Sequence, residues 1–137
     1  MIVVDTGAML ALVDATDRHH RTLKGMHERD PSDWVLPWGV LPEIDYLLGR
    51  HVSERARRLF GDDLAAGAFR VEWGEPADLE RAAELDRRYA KLRLGVVDAV
   101  VMAVAERLRA DAIATLDRRH FGAVTLRGSP RLVPDAG

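Results

Sequence analysis

Two aspartates interrupt the most apolar part of this chain. Asp98 stands near the start of the apolar run 96–105, and Asp117 directly follows a second apolar run, 112–116. A carboxylate withdrawn from water is costly unless a cation or a hydrogen-bond donor meets it. Neither run contains a lysine or an arginine, so we expect the compensating positive charge to come from elsewhere.

Two further acids are predicted to lie near the first pair. Asp5 follows the β-branched run 1–4, and Glu43 lies near the start of a helical pattern. Parallel strands end at one edge of an open sheet, where ligands bind, so Asp5 and Asp117 are predicted to meet there. Asp98 and Glu43 occupy first turns of helices entering from that edge, where free backbone N–H groups favour an anion.

Four carboxylates in one pocket would repel each other strongly unless a divalent cation lies between them. The chain contains no cysteine, which excludes thiolate zinc sites, disulfides and cysteine nucleophiles. An all-oxygen site favours Mg²⁺ or Mn²⁺ over zinc. Such ions activate water and stabilise phosphoryl charge, so the pattern indicates phosphodiester hydrolysis with one or two metals.

Each acid also has a simpler interpretation when it is taken alone. Asp5 and Asp117 could cap a helix or a turn, and Glu43 could merely complement a helix dipole. An aspartate is common at the start of a helix, but the apolar run that follows Asp98 implies a buried setting. Only their joint placement favours a metal site.

The pattern of apolar residues predicts alternating strands and helices. We predict strands over residues 1–4, 34–36, 69–73, 112–116 and 124–126. We predict helices directly after the first strand and over residues 14–30, 38–48, 53–66, 76–92 and 97–109, with a loop at 117–122 and an irregular tail at 128–137. This order indicates the α/β class, as a three-layer α/β/α sandwich with a mainly parallel sheet, in one domain over residues 1–137.

Composition narrows the possible functions. Apolar residues make up 47% of the 137, and the formal net charge is −2, which gives no sign of a strongly basic nucleic-acid binder. The apolar N-terminus carries Asp5 and lacks a basic leader, so we expect no signal peptide, no membrane span and a cytoplasmic location. A dinucleotide or Walker glycine motif is missing.

Other candidate residues rank lower. The adjacent His19 and His20 diverge on a helix and are expected at the surface. The cluster Arg118, Arg119 and His120 follows Asp117, and it could either neutralise substrate phosphates or form an exposed loop. Tryptophans 34, 38 and 73 are more typical of a core or an interface than of base stacking.

Four sequence blocks together resemble the PIN domain of VapC-type toxins, the ribonuclease half of bacterial toxin–antitoxin pairs. They are MIVVDTGAMLAL with Asp5, VLPEIDYLL with Glu43, YAKLRLGVVDAVVMAVAERL with Asp98, and IATLDRRHF with Asp117. The resemblance covers essentially the whole chain, and it agrees with the PIN-like α/β/α fold predicted above.

The resemblance implies a Mg²⁺- or Mn²⁺-dependent endoribonuclease acting on a cellular RNA. It implies a homodimer that is neutralised by a small VapB-type antitoxin. It also implies that the four acids bind the metal, with Thr6 and Thr115 as supporting polar residues. Two positions depart from the family pattern: Gly95 stands where many relatives carry an acidic or polar residue, and Pro42 directly precedes the glutamate.

Two other classes of function stay open from the sequence. An aspartyl-phosphate phosphatase would use Asp5, but it normally needs a second acid two residues later, where this chain has Gly7. A binding module could hold a cation in the acidic pocket without catalysis. For the antitoxin, we predict docking on exposed apolar positions around Leu47, Leu59 and Phe60.

Overall fold

A computed structural model describes residues 1–135, in which five parallel strands form one sheet of order β3-β2-β1-β4-β5. The strands are β1 (Ile2–Val4), β2 (Trp34–Pro37), β3 (Arg70–Glu72), β4 (Ala112–Ala114) and β5 (Arg131–Val133). The helices are α1 (Thr6–Val13), α2 (His20–Arg29), α3 (Leu41–His51), α4 (Glu54–Ala65), α5 (Pro76–Arg88), α6 (Gly95–Arg107) and α7 (Arg118–Ala123). The predicted three-layer α/β/α class is confirmed, and the sheet is parallel throughout these residues.

The centre of the sheet consists of β1, which pairs with β2 on one side and β4 on the other. Val3 and Val4 of β1 are buried, as are all three residues of β4. Helices cover both faces of such a sheet, so its inner strands consist of continuous apolar residues rather than alternating ones. The ends of β1 and β4 therefore lie side by side.

Helix α6 is enclosed by protein over most of its length. Seven consecutive residues from Ala99 to Ala105 are buried, as expected of a helix that is apolar on all sides. Its C-terminal end is fastened to α5 by ion pairs: Arg107 Nε lies 2.7 Å from Asp78 Oδ1, and Arg81 Nε lies 2.7 Å from Glu106 Oε1. These contacts hold the far end of α6 while its first turn points to the strand ends.

The end of the chain differs from the prediction in three ways. The predicted loop 117–122 is wrong, because residues Arg118–Ala123 form α7. The predicted strand 124–126 is also wrong: Val124 and Leu126 are buried but do not pair with the sheet. The last strand is β5, inside the tail predicted to be irregular, where the exposed Arg131 and half-buried Leu132 reflect an edge position. Residues 136 and 137 of that tail lie outside the described part.

Other boundaries shift by a turn or more. The helix predicted over 14–30 is present only as His20–Arg29, because residues 14–19 form turns. The pattern starting at residue 38 divides into a 3-10 turn, Trp38–Val40, and then α3. Pro42 lies in the first turn of α3, where its missing N–H would have had no helical partner. Among residues 1–135, none of the helices combines the length and the apolar character that crossing a bilayer requires.

Candidate active site

Asp5 is the most deeply buried of the four predicted acids, with 4% of its surface exposed. It is the N-cap of α1, and its Oδ1 accepts a hydrogen bond of 2.8 Å from the backbone N–H of Ala8. Its Oδ2 accepts one from the hydroxyl of Thr115. Burial raises the pKa of Asp5 to about 7 although both hydrogen bonds lower it, and the charges of Asp98 and Asp117 raise it further.

Thr115 joins two of the acids. Its side chain is fully buried, and its Oγ1 accepts a hydrogen bond of 2.9 Å from the backbone N–H of Asp117 while its hydroxyl donates to Asp5. The arrangement follows from strand pairing, because the N–H of Asp5 bonds the carbonyl of Ala114 at 3.0 Å. The adjacent ends of β1 and β4 therefore bring Asp5 and Asp117 together through one hydroxyl.

Asp117 caps a helix, which is the role that the sequence suggests for it when it is taken alone. It also faces the site. Its Oδ1 accepts a 3.0 Å hydrogen bond from the backbone N–H of His120, which makes it the N-cap of α7. Its Oδ2 lies 3.2 Å from Nδ1 of the same histidine. Capping and a contribution to the site are thus compatible in this residue, because its two oxygens point in different directions.

Asp98 lies in the first turn of α6, as predicted, and is half-buried. Its Oδ2 lies 2.9 Å from Nδ1 of His120. Burial raises the pKa of Asp98, the hydrogen bond with His120 opposes that effect, and the charges of Asp117 and Glu43 raise the pKa further. The pKa of His120 is raised in turn, chiefly by its hydrogen bond to Asp98. These mutual effects indicate one coupled group of charges.

The sequence offers His120 as a possible phosphate-binding residue, but it does not predict the contact of this residue with the acids. The histidine neither lies in an exposed loop nor points out to bind phosphates, because its ring turns inward between Asp98 and Asp117 and is 17% exposed. The spacing from Asp117 to His120 is i to i+3, which brings two side chains together on a helix. That signal was missed because residues 117–122 were predicted as a loop.

Glu43 lies in the first turn of α3, half-buried. In the part of the chain that the structure describes, its side chain has no hydrogen bond or ion pair. It is close enough for its charge to raise the pKa of Asp98. The structure therefore places Glu43 beside the site without binding it to the other acids.

A divalent cation fits this group of side chains. One ligand atom from each of Asp98, Asp117 and His120 lies within 4.8 Å of the others. Thr6 Oγ1, next to the buried Asp5, is itself buried without a hydrogen-bond partner, as a polar atom awaiting a ligand or water would be. Carboxylate and hydroxyl oxygens suit Mg²⁺ or Mn²⁺, which would neutralise the acids and supply an activated water.

Gly95, one of the two departures from the family pattern, has a backbone explanation. It begins α6 with φ of +79°, a conformation that favours glycine, and an added Cβ would meet no atom within 4 Å. The glycine thus allows the sharp entry into the helix that presents Asp98. It does not make room for another side chain.

Comparison with known proteins identifies the family of this chain. The family model described as the PIN domain matches residues 2–125, and the chain belongs to this family. The ribonuclease VapC26 of Mycobacterium tuberculosis is 33% identical over 130 residues, 95% of this chain and 96% of that protein.

Solved structures show the same likeness. The M. tuberculosis toxin VapC20, described as cleaving the sarcin-ricin loop, matches with a TM-score of 0.79 and 26% identity over 91% of this chain and 97% of its own. A toxin–antitoxin complex from Klebsiella pneumoniae matches with a TM-score of 0.69 and 20% identity, over 98% and 97% of the two chains. The FitAcB structure from Neisseria gonorrhoeae matches with a TM-score of 0.64 and 16% identity, over 96% of each chain. The last two show likeness of fold.

Proposed function

We propose that this protein is an endoribonuclease toxin that hydrolyses a cellular RNA in the cytoplasm with Mg²⁺ or Mn²⁺. One observation carries the proposal: the carboxylates of Asp98 and Asp117 approach a single imidazole, and Thr115 joins the buried Asp5 to the backbone of Asp117. One histidine cannot neutralise three carboxylates. A resident divalent cation would balance their charge and would activate the attacking water.

The roles of the acids follow from their surroundings. Asp5 and Asp98 would bind the metal, with Asp117 and Glu43 completing or orienting the shell. Thr115 holds both Asp5 and the backbone of Asp117, so it positions oxygens rather than reacting itself. Because burial disfavours charge on Asp5, bound metal would keep it ionised at neutral pH.

RNA is the proposed substrate because the acidic site adjoins a basic pocket. Arg18, His19 and Arg118 line this pocket together with one acid, Asp135, and with Thr115, the residue that contacts Asp5. Cationic side chains there could bind backbone phosphates and guide one of them to the acids. The described activities of the two mycobacterial relatives support the same substrate class.

Activity of Asp98→Asn tests the proposal. We expect this variant to cleave RNA at least about 100-fold more slowly than wild type in manganese, because its amide cannot supply an anionic ligand. Asp62→Asn, an exposed change on α4, is the matched control and keeps full activity. The measurement is the cleavage rate on a panel of ribosomal, transfer and messenger RNAs, with the ends of the products mapped.

Two results would contradict the proposal. If Asp98→Asn cleaves RNA at the rate of the control variant, the carboxylate of Asp98 is not required for cleavage. Wild type that binds manganese but leaves every RNA intact would instead indicate a binding module of the same fold.

We further propose an antitoxin partner and a homodimer. The surface of α3 and α4 exposes Tyr46 and Leu59, 65% and 51% accessible, whereas Phe60 is 3% exposed and belongs to the core. The predicted docking role of Phe60 is therefore wrong, and that of the half-buried Leu47 and exposed Leu59 stays a prediction. Exposed apolar side chains on two neighbouring helices are the kind of anchor points that an amphipathic segment uses.

Leu59→Asp is expected to weaken binding of the antitoxin encoded in the adjacent reading frame by at least about tenfold, because the charge would be buried on binding. Leu79→Asp, an equally exposed change on α5, is the control. Calorimetric titration measures both affinities. Equal affinities would place the antitoxin elsewhere, and sedimentation of the free toxin tests the dimer.

A further inference from the structure

The imidazole of His120 lies in contact with two carboxylates that belong to different parts of the chain. Its Nδ1 is 2.9 Å from Asp98 Oδ2 in α6 and 3.2 Å from Asp117 Oδ2, the residue that precedes α7. One nitrogen of the ring thus faces both acids. The same three residues each offer a ligand atom within 4.8 Å of the others, so they could surround a cation.

The spacing of these atoms matches that of metal ligands. In an octahedral site with bonds of about 2.1 Å, adjacent ligand atoms are about 3.0 Å apart. The two contacts of Nδ1 measure 2.9 and 3.2 Å. One ligand atom from each of Asp98, Asp117 and His120 lies within 4.8 Å of the others, so these side chains could hold a cation together after they move closer to it.

We infer that His120 is a metal ligand through Nδ1, completing a group of one imidazole and two carboxylates with Asp98 and Asp117. This inference rests on the proposed metal-dependent function and makes the site less oxygen-rich than its four acids alone suggest. Imidazole suits transition metals, whereas Mg²⁺ prefers oxygen. The site would accordingly favour Mn²⁺ over Mg²⁺.

Pulsed electron paramagnetic resonance of Mn²⁺ bound to the full-length chain tests the inference without any activity measurement. Wild type should show ¹⁴N modulation from a directly bound imidazole, and labelling only the histidines with ¹⁵N should replace that signal with one from ¹⁵N. This arm needs no substitution, so misfolding of a variant cannot obscure it. Bound manganese without nitrogen modulation would overturn the inference while leaving the proposed function intact.

Substitution then identifies the histidine. His120→Gln should lose the nitrogen signal and bind Mn²⁺ at least about tenfold more weakly, with a smaller loss for Mg²⁺. His51→Gln, an exposed change at the far end of α3 from Glu43, should keep both. An equal loss for the two metals, together with a persisting nitrogen signal, would show that His120 only positions the carboxylates. Wild type that binds no manganese would contradict the metal-dependent function itself.

Discussion

At the scale of single residues, the site is a balance between burial and charge. Asp5 is nearly enclosed and has two hydrogen-bond donors, yet its pKa is still raised to about 7. Moving the ionised carboxylate of Asp5 out of water is unfavourable, and its two hydrogen bonds do not fully offset this free energy. Metal-free protein therefore carries a destabilising group at neutral pH.

Asp5→Asn should remove this pH dependence from the metal-free protein. The folded pKa of about 7 lies above the ordinary value of 3.8, so the folded state binds the proton more tightly than the unfolded state does. The contribution of Asp5 to stability is then greatest below pH 4 and falls as the pH rises to 7, by up to about 4 kcal/mol.

Urea unfolding in EDTA between pH 4 and 8 measures the effect. We expect the fall in the free energy of unfolding to be much smaller in Asp5→Asn than in wild type. Asp62→Asn, exposed on α4, should follow wild type. A parallel fall in all three proteins would show that Asp5 does not carry this charge penalty.

At the scale of elements, the positions of the acids depend on tight junctions between helices and strands. Gly74 connects β3 to α5 with φ of +84°, and a Cβ there would overlap the indole of Trp38. Trp38 begins the 3-10 turn that leads into α3, the helix carrying Glu43. One glycine thus allows α3 to begin where it does.

Gly74→Ala should destabilise the protein by about 3 kcal/mol, since it adds a steric overlap to an unfavourable backbone conformation. Gly67→Ala is a matched control: its φ is +78°, but an added Cβ meets nothing within 4 Å. We expect it to cost about 1 kcal/mol from the backbone alone. Chemical denaturation compares the two, and equal costs would exclude the contact with Trp38 as the cause.

At the scale of the whole molecule, the order of the strands assembles the site. Because β1 is flanked by β2 and β4, the end of the first strand meets residues more than 100 positions later, and α3 and α6 enter from the same edge. Repulsion among the acids opposes this assembly in the absence of a cation. A bound cation would therefore stabilise the folded protein.

Saturating Mn²⁺ should raise the melting temperature of wild type. At a free concentration of 100 times the dissociation constant the gain is about 2.7 kcal/mol, or roughly 10 °C for a chain of this size. Asp98→Asn should show little shift, and Asp62→Asn the full one. Calorimetry with and without EDTA measures it, and equal shifts in all three proteins would place the metal elsewhere.

The sequence by itself determined the fold class and the positions of the four acids behind strands or in first helical turns. Strand-ending aspartates and first-turn acids are local features, and parallel strands send them to the same side. It did not reveal α7 or β5, because six residues make a weak helical pattern and an edge strand needs no apolar run.

Only the tertiary structure decided how the acids are connected. The hydroxyl of Thr115 bridges Asp5 and the backbone of Asp117 because β1 and β4 are neighbours. His120 reaches Asp98 because α7 and α6 meet at the same edge. Such contacts join residues 22 to 110 positions apart. The spacing of residue types along the chain does not predict contacts over these separations. The two aspartates of the apolar runs are thus charges that the folded chain brings to a common imidazole.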